Sequence, residues 1–143
     1  VTYREADKDF NRLNHFKVEE AGEKVAILAL GDFYQRGEQL SAKIKAELGF
    51  TPTLINPRFA SGIDKELLES LSERHQMVIT MEDGILSGGF GEKIASFYGS
   101  SDMKVKNYGL DKKFYDRYDP NELLKEVGMT PVQIIADICN QIK

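Results

Sequence analysis

Val25-Ala26-Ile27-Leu28-Ala29-Leu30-Gly31-Asp32 is an unbroken apolar run that stops at a glycine and an aspartate. A strand with one wet face alternates apolar and polar side chains. A run with no polar position reads instead as a strand buried on both faces, the kind found in parallel sheets covered by helices on each side. Downstream, Leu40, Ile44 and Leu48 recur every four positions, as one face of a helix over 35–48 requires, and Gly49 follows as a C-cap. Thr53-Leu54-Ile55-Asn56 is the next strand, stopped by Pro57. Asp64 then opens a helix carrying Leu67, Leu68 and Leu71, with Glu66 in its first turn. Residues 76–81 read as strand again, with Glu82 and Asp83 where it ends. Ser87-Gly88-Gly89-Phe90-Gly91 leads into a helix presenting Ile94, Ala95, Phe97 and Tyr98, and 103–109 reads as a last strand.

Upstream, Phe16-Lys17-Val18-Glu19 alternates like a half-buried strand, and Ala21-Gly22-Glu23 turns the chain. Residues 1–15 are polar without a steady period and read as a linker or arm from a preceding domain. Near the other end, Asp119-Pro120-Asn121-Glu122 and Thr130-Pro131-Val132-Gln133 each place an acceptor at N-cap, proline at the first helical position and Glu or Gln at the third. Ile134, Ile138 and Ile142 form the stripe of the last helix. Strand and helix alternate through 16–143, which predicts one α/β domain. Its expected form is a three-layer α/β/α sandwich with about five strands, mostly parallel, the Phe16 strand being an antiparallel edge.

Composition narrows the function classes. The chain has 143 residues, 41% of them hydrophobic and 29% charged, which suits a single domain with a sizeable core. No run approaches the roughly 18–20 apolar residues needed to cross a bilayer, and the N-terminus has no secretory pattern. The first residue is Val1, so the chain reads as a piece of something longer. A formal net charge of -4 speaks against nucleic acid as a partner, and Lys104, Lys106, Lys112 and Lys113 read as a solvated face. The single cysteine, Cys139, allows no intrachain disulfide and no zinc cage. It falls among Ile134, Ile135, Ile138 and Ile142, which predicts a small buried residue in a protein of the reducing cytoplasm.

Sites in open parallel sheets gather at the carboxyl ends of the strands. Three loops qualify here: Gly31-Asp32-Phe33, residues 56–63, and residues 82–91. Glycines 84, 88, 89 and 91, just before a helix, either expose N–H groups to an anion or let the backbone turn tightly against the sheet. The spacing is neither a dinucleotide fingerprint nor a P-loop. Glu82 and Asp83 are adjacent at a strand end and point in different directions, so they do not read as an acid–base pair. One carboxylate capping the glycine loop or facing a neighbouring domain fits better. Arg58 either clamps a phosphate or pairs with Glu82 across adjacent loops. His15 and His75 read as ordinary surface residues, His75 lying at the amino end of its strand. No serine elbow, Cys–His pair or metal-spaced cluster is present, so no catalytic residue is assigned.

Taken in order, these segments resemble the carboxyl-terminal domain of transketolase-type enzymes. Val25-Ala26-Ile27-Leu28-Ala29-Leu30-Gly31 is similar to the family's first buried strand and its glycine. Within the superfamily, Asn56-Pro57-Arg58-Phe59-Ala60-Ser61-Gly62-Ile63-Asp64 resembles the Arg-Phe segment of deoxyxylulose-phosphate synthases. Val78-Ile79-Thr80-Met81-Glu82-Asp83-Gly84 with Gly88-Gly89-Phe90-Gly91 resembles their Val-Thr-x-Glu-Glu and Gly-Gly-x-Gly stretch. Asn107-Tyr108-Gly109-Leu110 with Phe114, and Leu123-Leu124-Lys125-Glu126-Val127-Gly128-Met129, are similar to their closing segments. The chain departs from the pattern at Asp111, where the family has proline, and at Arg117-Tyr118, where it has His-Gly.

The resemblance implies a domain without autonomous catalysis that serves dimer packing and supports an active-site wall. Thiamine diphosphate and its magnesium would lie in two preceding domains of the same polypeptide, and none in this segment. Arg4, in Tyr3-Arg4-Glu5, is the candidate for the substrate-phosphate arginine of the family's Tyr-Pro-Arg-Gly turn, from which this chain departs in lacking the proline and glycine. Asp32, Arg58, Glu82, Gly88, Gly89 and Gly91 are the interface or anion-loop candidates, with no metal ligand among them. The implied partners are the preceding domains and a second subunit, with neither nucleic acid nor membrane. A transketolase, the β subunit of a 2-oxoacid dehydrogenase and a free-standing anion-binding module are the alternatives.

Overall fold

The computed structural model describes residues 16–57, 63–82, 89–109 and 130–142. Strands β1 (Lys17–Glu20), β2 (Lys24–Ala29), β3 (Thr53–Asn56), β4 (His75–Glu82) and β5 (Lys104–Gly109) alternate with helices α1 (Tyr34–Leu48), α2 (Lys65–Leu71), α3 (Phe90–Phe97) and α4 (Pro131–Gln141). They form one sheet in the order β1-β3-β2-β4-β5. β2 is parallel to β3 and β4, and β4 to β5, while β1 runs antiparallel to β3 at the edge. The expected sandwich and its reversed edge strand are both present.

The apolar run explains the layering. Val25 through Ala29 are all 0% exposed, because successive side chains point to opposite faces and both faces are covered. Val25, Ile27 and Ala29 pack with Leu40 and Ile44 of α1 and with Ile134, Ile135 and Ile138 of α4. Ala26 and Leu28 pack with Leu68 and Leu71 of α2 and with Phe90, Ile94 and Tyr98 on the α3 side. Close approach of α1 depends on Gly37, where a Cβ would stand 2.6 Å from the Cβ of Ala29.

The end signals act as their chemistry requires. Gly49 closes α1 at φ 79°, a left-handed conformation that glycine adopts without steric cost. Thr130 opens α4 with a complete capping box, its Oγ1 accepting from Gln133 N while the Gln133 side chain accepts from Thr130 N. The helix start expected at Asp119 lies outside the described residues.

Two expectations are corrected. Cys139 is exposed, not buried. It lies four residues beyond Ile135, itself at the rim of the buried stripe with 8% exposure, and each such step moves about 40° further round the helix. His75 is half-buried rather than an ordinary surface residue, with both ring nitrogens in hydrogen-bond contact.

Candidate functional site

Winding reverses at β2. The chain steps from β2 to β3 on one side, then returns across β2 to β4 on the other, so the carboxyl ends of β2 and β4 lie side by side. This switch point at the carboxyl edge is where open α/β sheets form crevices. Leu30 N donates to Met81 O at 2.9 Å and ties the two strand ends together.

Glu82, the last residue of β4, is 5% exposed and turns its carboxylate toward the start of α3. Phe90 N donates to Oε2 at 2.9 Å, and Gly91 N donates to Oε1 at 3.2 Å. The N-cap residue is Gly89, which has no side chain with which to cap the helix. Glu82 therefore supplies from the strand end what an Asp or Ser at N-cap would supply locally. Its charge also sits at the positive end of the α3 dipole. With each oxygen accepting a buried N–H, this carboxylate fastens the end of β4 to the start of α3.

Gly91 has a second reason to be glycine. A Cβ there would lie 2.6 Å from Thr80 Oγ1 and 2.8 Å from Asn107 Cγ. Thr80, fully buried in the middle of β4, donates from Oγ1 to Asn107 Oδ1 at 2.7 Å across the β4–β5 pair. Helix α3 thus rests directly on a polar pair. The N–H of Gly91 is already committed to Glu82, so in this glycine the close approach, not a free amide, is what the geometry displays.

The chain enters the domain at the same edge. Because β1 is antiparallel, Lys17 lies beside Asn56, the last residue of β3. Asp64, 5% exposed, joins that entry to α2: Oδ1 accepts from Leu67 N at 3.2 Å and Oδ2 from Phe16 N at 2.9 Å. Phe16 meets Phe90 edge-on with centroids 5.8 Å apart.

Of the candidate residues, Glu82, Gly89 and Gly91 are thus brought together. Asp32 stands in the 3-10 turn Gly31–Phe33, which packs against β4, its side chain outside the described part. Arg4, Arg58 and Gly88 lie outside the described residues. Asp64 was legible as a helix start but not as the anchor of Phe16, since that bond spans 48 positions. The Thr80–Asn107 pair left a trace in the sequence: a hydroxyl inside an otherwise apolar strand has to find a partner.

A family model for the transketolase C-terminal domain matches residues 14–134. The chain belongs to the transketolase C-terminal domain family. This transketolase C-terminal domain is 33% identical over 140 residues to a protein of Shouchella clausii named 1-deoxy-D-xylulose-5-phosphate synthase, covering 95% of the chain and 22% of that protein. A protein of the same name from Clostridium perfringens is 38% identical over 115 residues, covering 79% of the chain and 18% of that protein. The domain therefore spans about a fifth of the length of these relatives. Among solved structures, a split-gene transketolase described as an inactive beta4 tetramer shares the fold with a TM-score of 0.76 at 24% identity, over 90% of this chain and 42% of that one. A transketolase from Campylobacter jejuni matches with a TM-score of 0.57 at 18% identity, over 89% of this chain and 18% of that one.

Proposed function

We propose that this transketolase C-terminal domain belongs to a 1-deoxy-D-xylulose-5-phosphate synthase and works there as a scaffold, packing the dimer and bracing one wall of the active site. The observation that carries the reading is the name shared by the relatives that align with 79–95% of the chain at 33–38% identity. In the parent reaction, pyruvate and glyceraldehyde 3-phosphate condense with loss of carbon dioxide to give 1-deoxyxylulose 5-phosphate, a precursor for isoprenoids, thiamine and pyridoxal phosphate. Bound thiamine diphosphate supplies the carbanion chemistry of such a condensation.

Among the described residues, no group of three or more His, Cys, Asp or Glu side chains could hold a metal ion. Glu82 is engaged by two backbone amides. The reading assigns cofactor and metal to the preceding domains. The scaffold role is supported by the entry at Phe16, which lies at the same edge as the Glu82 corner, so both would face the preceding domains. Among the described residues no helix is long and apolar enough to cross a membrane. Residence in the cytoplasm belongs to the proposal.

The test is an assay of the full-length gene product. Carbon dioxide release from pyruvate that depends on glyceraldehyde 3-phosphate is the expected result. Ketol transfer between sugar phosphates without carbon dioxide would identify a transketolase instead. Titration of the isolated chain with thiamine diphosphate and magnesium should give no binding heat. Saturable binding would overturn the division of labour and make Asp32, Arg58 and Gly88 ligand-contacting candidates.

A further inference from the structure

At the opposite edge of the sheet, His75 opens β4 and joins four elements. Its Nδ1 lies 2.9 Å from Leu71 O at the end of α2. A carbonyl only accepts, so Nδ1 carries the proton. Nε2 is then the acceptor, and the Thr53 hydroxyl of β3 donates to it at 2.6 Å. Thr53 Oγ1 in turn accepts Gly22 N–H, from the turn between β1 and β2, at 2.8 Å. With the imidazole neutral, each donor in this relay meets an acceptor.

The turn it reaches is conformationally costly. Lys24 holds a φ of 68°, left-handed in a residue other than glycine. Gly22 is pressed against β3 so closely that a Cβ would stand 2.1 Å from Thr51 O. Glu23 N to Thr51 O and Lys24 N to Arg74 O, both 2.8 Å, complete the fastening.

We infer that the His75–Thr53–Gly22 relay is a proton-sensitive clasp, which fastens the β1–β2 turn, and through it edge strand β1, while the imidazole is neutral and loosens it when the imidazole takes up a proton. In the imidazolium ring Nε2 becomes a donor. Thr53 Oγ1 would then have to turn its own proton away from the ring, in a residue only 3% exposed. The charged surroundings do not cancel this. Burial lowers the pKa of His75 from its ordinary value of 6.5, the bond to Leu71 raises it, Arg74 lowers it and Glu23 raises it. Asp102, just before β5, and Lys104, its first residue, face His75 across a cavity of about 380 Å³ and are of opposite sign, and α4 contributes only the neutral Gln141 there. Because the folded ring binds its proton less well than the unfolded one, the clasp's contribution is complete above pH 6.5 and is lost as the pH falls below it.

Amide hydrogen exchange at Gly22 and Glu23, read by NMR and corrected for intrinsic rates, tests this between about pH 7.5 and 5. Protection should fall by up to roughly tenfold per pH unit on acidification below about pH 6.5, and level off once the His75 ring proton signals have titrated. His75→Gln should remove that pH dependence. Thr53→Val should strip protection from Gly22 at every pH and move the His75 midpoint. Protection that is flat with pH in the wild type, a fall that continues undiminished below the ring titration, or an unchanged slope in His75→Gln would each overturn the clasp.

Discussion

Glu82 shows how much one side chain carries at this edge. It takes two buried amide protons at 2.9 and 3.2 Å, and the N-cap residue Gly89 offers no side chain for the task. Glu82→Ala should leave both donors without their acceptor, costing about 1–3 kcal/mol, with Glu82→Gln losing less because it retains one acceptor oxygen. Urea denaturation of the isolated chain measures both, and equal losses would mean that the charge, not the acceptor geometry, holds the corner. Gly91→Ala places a methyl group 2.6 Å from Thr80 Oγ1 and should cost about 1–3 kcal/mol, with no gain from its better helix propensity. Two tyrosines add an alkaline limit. Tyr98 donates to Leu68 O at 2.5 Å and Tyr108 to an Asp137 carboxylate oxygen at 2.5 Å. Burial raises both phenol pKa values, and for Tyr108 the Asp137 carboxylate raises it further. A raised folded pKa means stability that is complete below the ordinary value of 10.0 and is lost as pH rises past it. The urea midpoint should therefore drop between about pH 9 and 11, and drop less in a Tyr98→Phe, Tyr108→Phe double variant.

Among the elements, the end signal read at Thr130 acts as its chemistry requires, its capping box setting the start of α4. Thr130→Ala should lose about 0.5–2 kcal/mol, and Thr130→Ser should recover most of it, in the same denaturation assay. Helix α2 has only seven residues, Lys65–Leu71, too few to be stable alone, so it exists by packing Leu68 and Leu71 under the sheet. Leu68→Ala should cost about 2–5 kcal/mol, with the larger figure expected if the cavity beneath Tyr98 does not collapse. Strand β1 is the most exposed element. It is short and charged, and its register shifts between Val18 and Glu20, which are features that blunt an edge against pairing with another sheet.

For the whole molecule, the two helix layers share β2, whose side chains alternate into one core and the other with no solvent-facing position from Val25 to Ala29. Damage on either face should therefore propagate through the sheet. Ile44→Ala on the α1 face and Leu68→Ala on the α2 face should each shift the near- and far-ultraviolet circular dichroism transitions together, and separate transitions in either variant would show two independent cores. The fold itself was written locally. An apolar run with no polar break, four-residue periodicities ending at glycine, and proline–carboxamide cap signals need only near neighbours to act, so strand order aside, the sandwich could be read from Val25 to Ile142. The site residues' partners could not. Glu82 reaches eight residues along the chain, Asp64 reaches 48 and Thr80 finds Asn107 at 27, and nothing in the local pattern says which distant donor a buried carboxylate or hydroxyl will meet. Cys139 fell on the wrong side of its helix for the same reason: an apolar neighbourhood in sequence spans the full circumference, and only packing against the sheet selects the buried arc. Periodicity and end chemistry act over a few residues and so are carried by the sequence. Burial and hydrogen-bond partnership depend on which surfaces the folded chain brings into contact, and those arise only with the tertiary structure.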